Sequence, residues 1–548
     1  MVSLTEFGWL EETLALVRAR VLTNGCRDPQ SRNYGCFDRN WWHYRIVDFP
    51  SVILQQASET LECLSGSSVA AESDALRDLA AAGTRFWATR ATRRGAFEEY
   101  YPNERSFPAL AFSTLAICNV LLKHEEIDSQ VHSGLRAASS QLVQRSEHYA
   151  LNQELAAIAA LARLQQLDSS LVKKQIVIDR LEQALAQQSP EGWFPEYYGA
   201  DTGYLSVSLD CLWEIQDSMP EMNTLDARIS AFAYLHQVVT SGIPSLATIN
   251  SRNTDYIVPY GIARSLSVPE LQSPATELLN KLGQGTVMAP KHFTSVDDRY
   301  SCHYVGRSIA KAWQFISEIS LPPRSLGDSS PSKRVESFPD AGVVRLVDSE
   351  AREPETKVWV ACRKGANLTG VLADGGSLID HGWRVKTRSS TYVSDWCTDG
   401  WRIERIDATS VTVSGGMIGA RDVASTPIHH FFLRVAASLM GRRLIPLLKH
   451  LLILKSSGSG PTFTRTVSIS GDVLIVEDSI APVSADALIT RAGRQSLRHV
   501  ASADSFHSTD LQPIENCLMT QEVVREPGRF TAQTSYSTVA WKEPCEEC

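Results

Sequence analysis

Four short clusters hold most of the side chains in this chain that could do chemistry. They are Asp38-Arg39-Asn40-Trp41-Trp42-His43-Tyr44-Arg45, Tyr100-Tyr101-Pro102-Asn103-Glu104-Arg105, His148-Tyr149-Ala150-Leu151-Asn152-Gln153-Glu154 and Glu196-Tyr197-Tyr198-Gly199-Ala200-Asp201-Thr202-Gly203-Tyr204. Two smaller groups, Arg252-Asn253-Thr254-Asp255-Tyr256 and Tyr300-Ser301-Cys302-His303-Tyr304, have a similar make-up. Flat aromatic faces beside carboxylates and amide or guanidinium donors suit a sugar, which offers a ring face to stack on and hydroxyls to bond. The carboxyl groups of Glu99, Glu104, Glu154, Glu196, Asp201 and Asp255 could furnish the acid and base that flank a glycosidic bond in hydrolysis. Plainer roles are open to several members. Trp41 and Trp42 suit packing between helices, Asn152 suits a helix cap, and Glu104 with Arg105 suits a solvated pair. His303 fits a cleft or a packed interior, and His381, further along, fits a turn.

The elements that must position these groups are read from periodicity. Gly95-Ala96-Phe97-Glu98-Glu99-Tyr100-Tyr101 recurs about 97 residues later as Gly192-Trp193-Phe194-Pro195-Glu196-Tyr197-Tyr198, each before an apolar run. A repeated Gly turn, buried Phe and acidic-aromatic rim point to a helical array whose equivalent loops share one face. Residues 1–322 carry apolar positions at i, i+3, i+4 and i+7, some segments apolar nearly all round and others one-sided. That alternation fits inner helices shielded by an outer ring, the inner ones starting near Arg45, Phe107, Tyr149, Tyr204, Tyr256 and His303. The expected architecture is an (α/α) toroid of five or six hairpins, an incomplete barrel, with its cleft at the helix starts. Residues 323–340, rich in Pro, Ser and Gly, read as a linker. Residues 341–548 carry short β-branched runs punctuated by Gly, Asp and Ser, which predict an antiparallel β-sandwich domain. The fold class is therefore α+β multidomain. The stretch 429–455 fits either strands or a helix.

Composition narrows the function. The 548 residues are 43% apolar and 21% charged with a net charge of −9, which gives no reason to expect nucleic acid as a partner. The greasiest stretch, FFLRVAASLM and LIPLLKHLLIL, is interrupted by Arg434, Arg442, Arg443 and Lys449, so no membrane span is expected. The first twenty residues lack the pattern of a secretory leader, and eleven scattered cysteines favour reduced thiols. Both point to a cytoplasmic setting, or a periplasmic one if a leader precedes this sequence. Cys545-Glu546-Glu547-Cys548 has no second pair with which to build a metal site. No phosphate-binding loop, nucleophile elbow or HExxH is present, and no cofactor is expected.

On the NWWHYR and N-Q-E-L-A clusters, the E-G-W-F-x-E segment with its following Gly203-Tyr204, and the helical-then-β plan, the chain resembles the heparinase II/III-like polysaccharide lyases and related alginate lyases. The resemblance covers about 30–320 and about 335 onward. It implies β-elimination on a uronic-acid-containing polysaccharide or oligosaccharide, an anionic partner. It implies Asn152 as the group that shares the uronate's carboxylate charge, and Tyr204, 52 positions on, as base or acid. A tyrosine can act both ways, since a nearby cation lowers its pKa from about 10. Gln153 and Leu205 stand where the family commonly has histidine. The family's L-x-D-x-G is met by Leu378-Ile379-Asp380-His381-Gly382, but Arg363-Lys364-Gly365-Ala366-Asn367 before it lacks the family's histidines. His303 and His381 are the candidate replacements, and no metal site is expected. Asn40, Trp42, His43, Arg45, Tyr101, Asn103, Glu104, Gln153, Tyr198, Arg252, Asn253 and Tyr256 are the candidate substrate contacts. Arg93 and Arg94 could screen uronates or complement a helix end.

Two other readings stay open. An (α/α)-toroid glycoside hydrolase needs a carboxylate pair in the cleft and no Asn–Tyr pair. A glycan-binding or polysaccharide-assembly protein could keep the fold and have lost the chemistry, which the missing histidines favour. The sequence names neither the polymer nor the oligomeric state.

Overall fold

The computed structural model describes residues 7–66, 72–93, 95–124, 126–254, 256–284, 298–319, 337–347, 356–371, 377–420, 425–452, 454, 460–470, 473–492 and 519–537. Arg94, Asp255, most of the expected linker and Cys545 to Cys548 lie outside them.

Helices α1 (Gly8–Asn24) and α2 (Arg39–Trp42) precede α3 (Ala57–Ser65) and α4 (Ser73–Thr92). Next come α5 (Phe107–Leu121), α6 (Ser129–Val143), α7 (Leu151–Leu167), α8 (Lys174–Leu185), α9 (Thr202–Ser218) and α10 (Leu225–Thr240). The short α11 (Leu246–Ile249) leads to α12 (Tyr260–Ser265) and α13 (Gln272–Gln284), and α14 (Asp298–Ser301) leads to α15 (Tyr304–Glu318). Helices α3, α5, α7, α9, α12 and α15 pack side by side in that order, and α15 returns against α3. Each of α4, α6, α8, α10 and α13 covers the inner helix before it, and α1 covers α15. Six hairpins thus make the toroid, the first helix of the chain serving as outer partner of the last inner one.

The sequence explains which helix goes where. Along α7 an unbroken run from Glu154 to Leu164 is buried, and its alanines let neighbouring helices approach from both sides. In α6 the buried set is Val131, Gly134, Leu135, Ala138, Ser139 and Leu142, one stripe of an outer helix. The inner helix expected near Arg45 starts later, as a 3₁₀ turn at Val52 running into α3. Pro50 keeps the residue before it extended. The repeated phrase is one device used twice. Gly95 and Gly192 both take positive φ, 62° and 103°. A Cβ at Gly95 would run into Gln141 of α6, and one at Gly192 would meet the Ser230 carbonyl of α10 at 2.1 Å. Each turn therefore backs closely onto the outer helix of its own hairpin, with Phe97 and Phe194 buried beside it.

Midway down the inner helices a buried ionic belt ties the ring together. Glu214 of α9 accepts from Asn119 of α5 (3.0 Å), Arg163 of α7 (2.8 Å), Arg307 of α15 (2.6 Å) and Lys311 of α15. Glu59 of α3 accepts from Asn119 at 2.8 Å, pairs with Lys311 at 3.1 Å and also takes Arg307. Charges this deep persist because each has several partners.

The second half is antiparallel. Strands β1 (Val343–Leu346), β2 (Lys357–Ala361), β3 (Asn367–Val371) and β4 (Ser377–Asp380) form a meander, with Val360 between Val344 and Leu368. Strands β5 (Trp383–Lys386), β6 (Thr391–Val393), β7 (Arg402–Ile406), β8 (Ser410–Gly416) and β9 (Ile418–Ala420) follow. Then come β10 (Thr462–Ser470), β11 (Val473–Ala481), β12 (Leu488–Arg491), β13 (Met519–Glu526) and β14 (Arg529–Ser537). One sheet has the order β13-β14-β11-β10-β8-β7 and another β12-β5-β6-β9. All three sheets feed one core that includes Val358, Trp383, Val413, Phe463, Val476 and Phe530. Between β9 and β10 the ambiguous stretch forms a helical hairpin, α16 (Pro427–Met440) and α17 (Leu444–Leu452). Thr426 and His429 close a capping box and Pro427 sits at the first helical position, so the helix start is written locally. Among the described residues no helix is long and apolar enough to cross a membrane.

The halves are joined by specific bonds. Lys364 donates to the carbonyls of Ala247 and Asn250 (both 2.9 Å) and to Asn253 Oδ1 (2.6 Å), and burial pulls its amine down to about 8. Phe338, Val343 and Trp359 join the toroid's own core.

Candidate active site

The inner-helix starts, α17 and the turn before it line a cavity of about 870 Å³. Three of the clusters are knitted together on its floor. Leu151 N donates to the Pro195 carbonyl (3.1 Å), Tyr197 N to the Tyr149 carbonyl (2.7 Å) and Ser251 N to the Ala200 carbonyl (2.8 Å). Asp201 caps α9 through Tyr204 N (3.1 Å) and also accepts from Arg252 N (3.0 Å) and the Thr254 hydroxyl. Gly203 is helical. It lies inside the first turn of α9, where a Cβ would meet Thr254 Oγ1 at 2.5 Å and the Tyr256 carbonyl at 2.6 Å. Its smallness lets Thr254 and Tyr256 approach the base of Tyr204.

Asn152, Gln153, Tyr204, Arg252, His303, Tyr101 and Glu104 all line this cavity. Asn152 does not cap α7. Its Nδ2 donates to Glu196 Oε1 at 2.6 Å, and its backbone N donates to the same oxygen at 2.9 Å. Burial holds the Glu196 carboxyl well above the usual carboxylate range, against the bonds from Asn152. Arg252 is buried and stacks on Tyr197 with its guanidinium carbon 4.4 Å from the ring centre. Its Nε and Nη2 have no hydrogen-bond partner among the described residues, nor does Glu196 Oε2. Unpartnered guanidinium donors lining a cavity are where an anion would find its bonds.

The opposite wall is aromatic. The Tyr204 and Tyr256 rings meet edge-on with centroids 6.5 Å apart, and the Tyr256 hydroxyl bonds that of Tyr304. His303 lies edge-on to Tyr304 at 4.4 Å. Burial, and then Arg299, hold the His303 imidazole well below its ordinary range, so it is neutral, and its Nδ1 has no hydrogen-bond partner. A neutral imidazole with an open nitrogen is a base, and a tyrosine hydroxyl nearby is an acid or base.

Glu99 and Glu104 also face the cavity. Glu104 Oε2 accepts from the backbone N of Glu99 (2.9 Å) and Tyr100 (2.7 Å), and Glu99 accepts from Ser106 at 2.6 Å. Burial, reinforced by Glu99, pushes the Glu104 carboxyl up to about 8. Glu154 is engaged elsewhere, by Arg180 at 2.5 and 2.7 Å.

Other expected contacts lie outside the cavity lining. Asn40, Trp42, His43 and Arg45 surround α2, where Trp42 Nε1 donates to the Asn24 carbonyl at 2.7 Å and Trp41 packs on Phe86. Asn103 sits in a turn with φ 62°. Tyr198 does not line the cavity: its backbone carbonyl accepts from Arg363 at 2.9 Å and its side chain packs against Ala150, Tyr197 and Leu454, while Tyr197 takes the cleft position. Asn253 is held by Lys364, and Tyr256 stands behind Tyr204. His381 lies in the β4–β5 turn beside Asp380, away from the cavity. Among the described residues no metal-binding group of His, Cys, Asp and Glu side chains occurs.

What the sequence reading missed is the cation rim. Arg145, Arg442, Arg443 and Lys449 all line the cavity. Lys449 pairs with Glu147. Burial, with Arg442 and Arg105 close by, lowers Arg145 to about 10. The second half of the chain thus contributes to the cleft through α17 and the turn before it, where Arg442-Arg443 stood as a signal inside a stretch free of acidic residues.

Fold and site together define a toroid of helical hairpins followed by antiparallel sheets, with an anion-receptive cleft at the inner-helix starts. No family model matches the chain, and no curated protein matches it. Among solved structures it is similar to the chondroitin AC lyase of Streptomyces coelicolor A3 in complex with chondroitin sulphate, at 10% identity over 97% of this chain and 77% of that one, with a TM-score of 0.46. A point mutant of that enzyme gives 11% identity over 97% and 77%, TM-score 0.38. A chondroitinase AC lyase solved with oligosaccharides gives 10% over 87% and 68%, TM-score 0.36. At such identities and scores these likenesses carry no argument about activity.

Proposed function

We propose that the protein is a polysaccharide lyase of the heparinase II/III-like kind, acting on a uronate-containing polysaccharide or oligosaccharide by β-elimination. The observation that carries this is the buried guanidinium of Arg252, with two open donors, in the same cavity as Asn152, Tyr204 and a neutral His303. The C5 proton of a uronate becomes acidic once its carboxylate charge is shared. Arg252 shares it, with the second amide hydrogen of Asn152. His303 takes the C5 proton, the C–H electron pair becomes the C4–C5 double bond, and the C4–O4 bond breaks. Tyr204 gives its proton to the departing O4. The cation rim of Arg145, Arg442 and Arg443 supports an anionic chain lying across the mouth.

Hydrolysis is the second reading, favoured by Glu99 and Glu104 lining one wall. The Asn–Tyr pair in the same cavity argues against it. Ultraviolet absorbance during incubation with a panel of uronate polysaccharides separates the two, because only elimination leaves a double bond conjugated to the carboxylate. Tyr204→Phe should abolish the rise while thermal unfolding changes little, and Asn152→Ala should abolish it at a cost of about 1–3 kcal/mol in stability, because Glu196 loses its amide partner. New reducing ends without absorbance would establish hydrolysis. Binding of the polymer with neither signal would leave a glycan-binding protein.

A further inference from the structure

The turn between β2 and β3 belongs to the second half of the chain, yet its basic side chains serve the first. It is a 3₁₀ turn, Cys362–Lys364, followed by Gly365 and Ala366 at φ 61° and 56°. A Cβ at Gly365 would meet the Ser394 carbonyl at 2.3 Å. Ala366 is fully buried and holds the left-handed region without glycine's freedom, so the turn keeps a shape its sequence does not favour.

What the turn presents is Lys364. The side chain is 2% exposed, and an ammonium carries three donors. All three go to one segment of the toroid: the carbonyls of Ala247 and Asn250 (both 2.9 Å) and Asn253 Oδ1 (2.6 Å). No carboxylate bonds it, and Asp395, Asp201 and Cys397 act on it only at longer range. A buried charge needs partners, and here they are three neutral oxygens, which fix the position of a segment rather than neutralise an ion. These acceptors flank Arg252 on both sides. The same segment is tied forward to the cleft floor. Asn250 Oδ1 accepts from Thr202 N (3.0 Å), Ser251 Oγ donates to the Glu196 carbonyl (2.7 Å) and Arg252 N donates to Asp201 Oδ2 (3.0 Å). With its Nε and Nη2 unpartnered, the Arg252 guanidinium is placed by its stack on Tyr197 and by the backbone that carries it.

We propose that Lys364 is the positioning residue of Arg252, pinning the 247–253 segment so that the guanidinium stays at the cavity wall and the second half of the chain becomes part of the anion site. The inference rests on the lyase reading above, in which Arg252 shares the uronate charge. The test is a double-mutant cycle read from the appearance of unsaturated product. Lys364→Met should lower kcat/KM by on the order of 10²-fold and cost nothing further in an Arg252→Met background. Asn253→Gly removes one acceptor and suits the positive φ of 57°, so it should fold as the wild type does and show the same dependence with a smaller loss. Undiminished activity in both variants overturns the proposal. So does a loss repeated in full without Arg252, which would make Lys364 a structural contact alone. A wild type that yields no product from any uronate polymer refutes the lyase reading and not the positioning, which amide exchange then decides. Faster exchange across residues 246–254 in the variants, with α7 unchanged, supports it, and unchanged exchange overturns it.

Discussion

Arg252→Met should make the protein more stable and less active. Arg252 is 3% exposed, and neither Nε nor Nη2 has a hydrogen-bond partner. Burying a guanidinium costs several kcal/mol, of which stacking on Tyr197 returns about 2 kcal/mol or less. Methionine keeps an unbranched apolar stem without the charge, so a gain of roughly 1–3 kcal/mol is expected. The two halves need not melt together, so the midpoint of the helical transition by circular dichroism is the quantity to compare. Activity should move the other way. Each charge-assisted bond to a substrate carboxylate contributes roughly 1.5–3 kcal/mol, so losing two lowers kcat/KM by on the order of 10²–10⁴. The ultraviolet assay for the unsaturated product reads this directly. Arg252→Lys should recover part of the activity and none of the stability. A variant that melts earlier and turns over normally would refute the reasoning. Arg252 would then be the counter-ion of Asp201, whose carboxyl it already influences.

Two further perturbations test the electrostatics. Glu104 is held at about 8 against an ordinary 4.5, so the folded protein keeps a proton that the unfolded chain releases. Its share of stability is complete below 4.5 and is lost as the pH rises through about 8. Urea midpoints between about pH 5 and about pH 9 should therefore fall more steeply for the wild type than for Glu104→Gln, and equal slopes would remove this group from the account. Glu214→Ala removes the acceptor of Asn119, Arg163, Arg307 and Lys311 and leaves Glu59 facing the cations alone. A cost of about 3–5 kcal/mol is expected, measured as an earlier helical melt, and a change near zero would mean that water already serves these groups.

Much of the toroid is written locally, and that is why it could be read. Phe107, Tyr149, Tyr204, Tyr256 and His303 lie within a few residues of true inner-helix starts, because each stands where a polar rim gives way to a run with no polar face. The clusters that hold Asn152 and Tyr204 lie at the same boundary, but it was the family resemblance that singled out these two residues within them. Side-chain direction was another matter. The N-W-W-H-Y-R cluster has the composition of a sugar site, yet α2 is four residues long and its tryptophans serve the end of α1 and the flank of α4. Tyr197 and Tyr198 differ only by one position and both take positive φ, yet Tyr197 lines the cleft and Tyr198 does not. No periodicity predicts which. The cation rim is harder still, because Arg442 and Arg443 reach Arg145 across some three hundred residues of sequence, through a hairpin inserted between two strands. Local pattern can place a helix start to within a turn. It cannot say that a basic hairpin from the second half will close over it, and for an anionic substrate that closing hairpin supplies much of the charge.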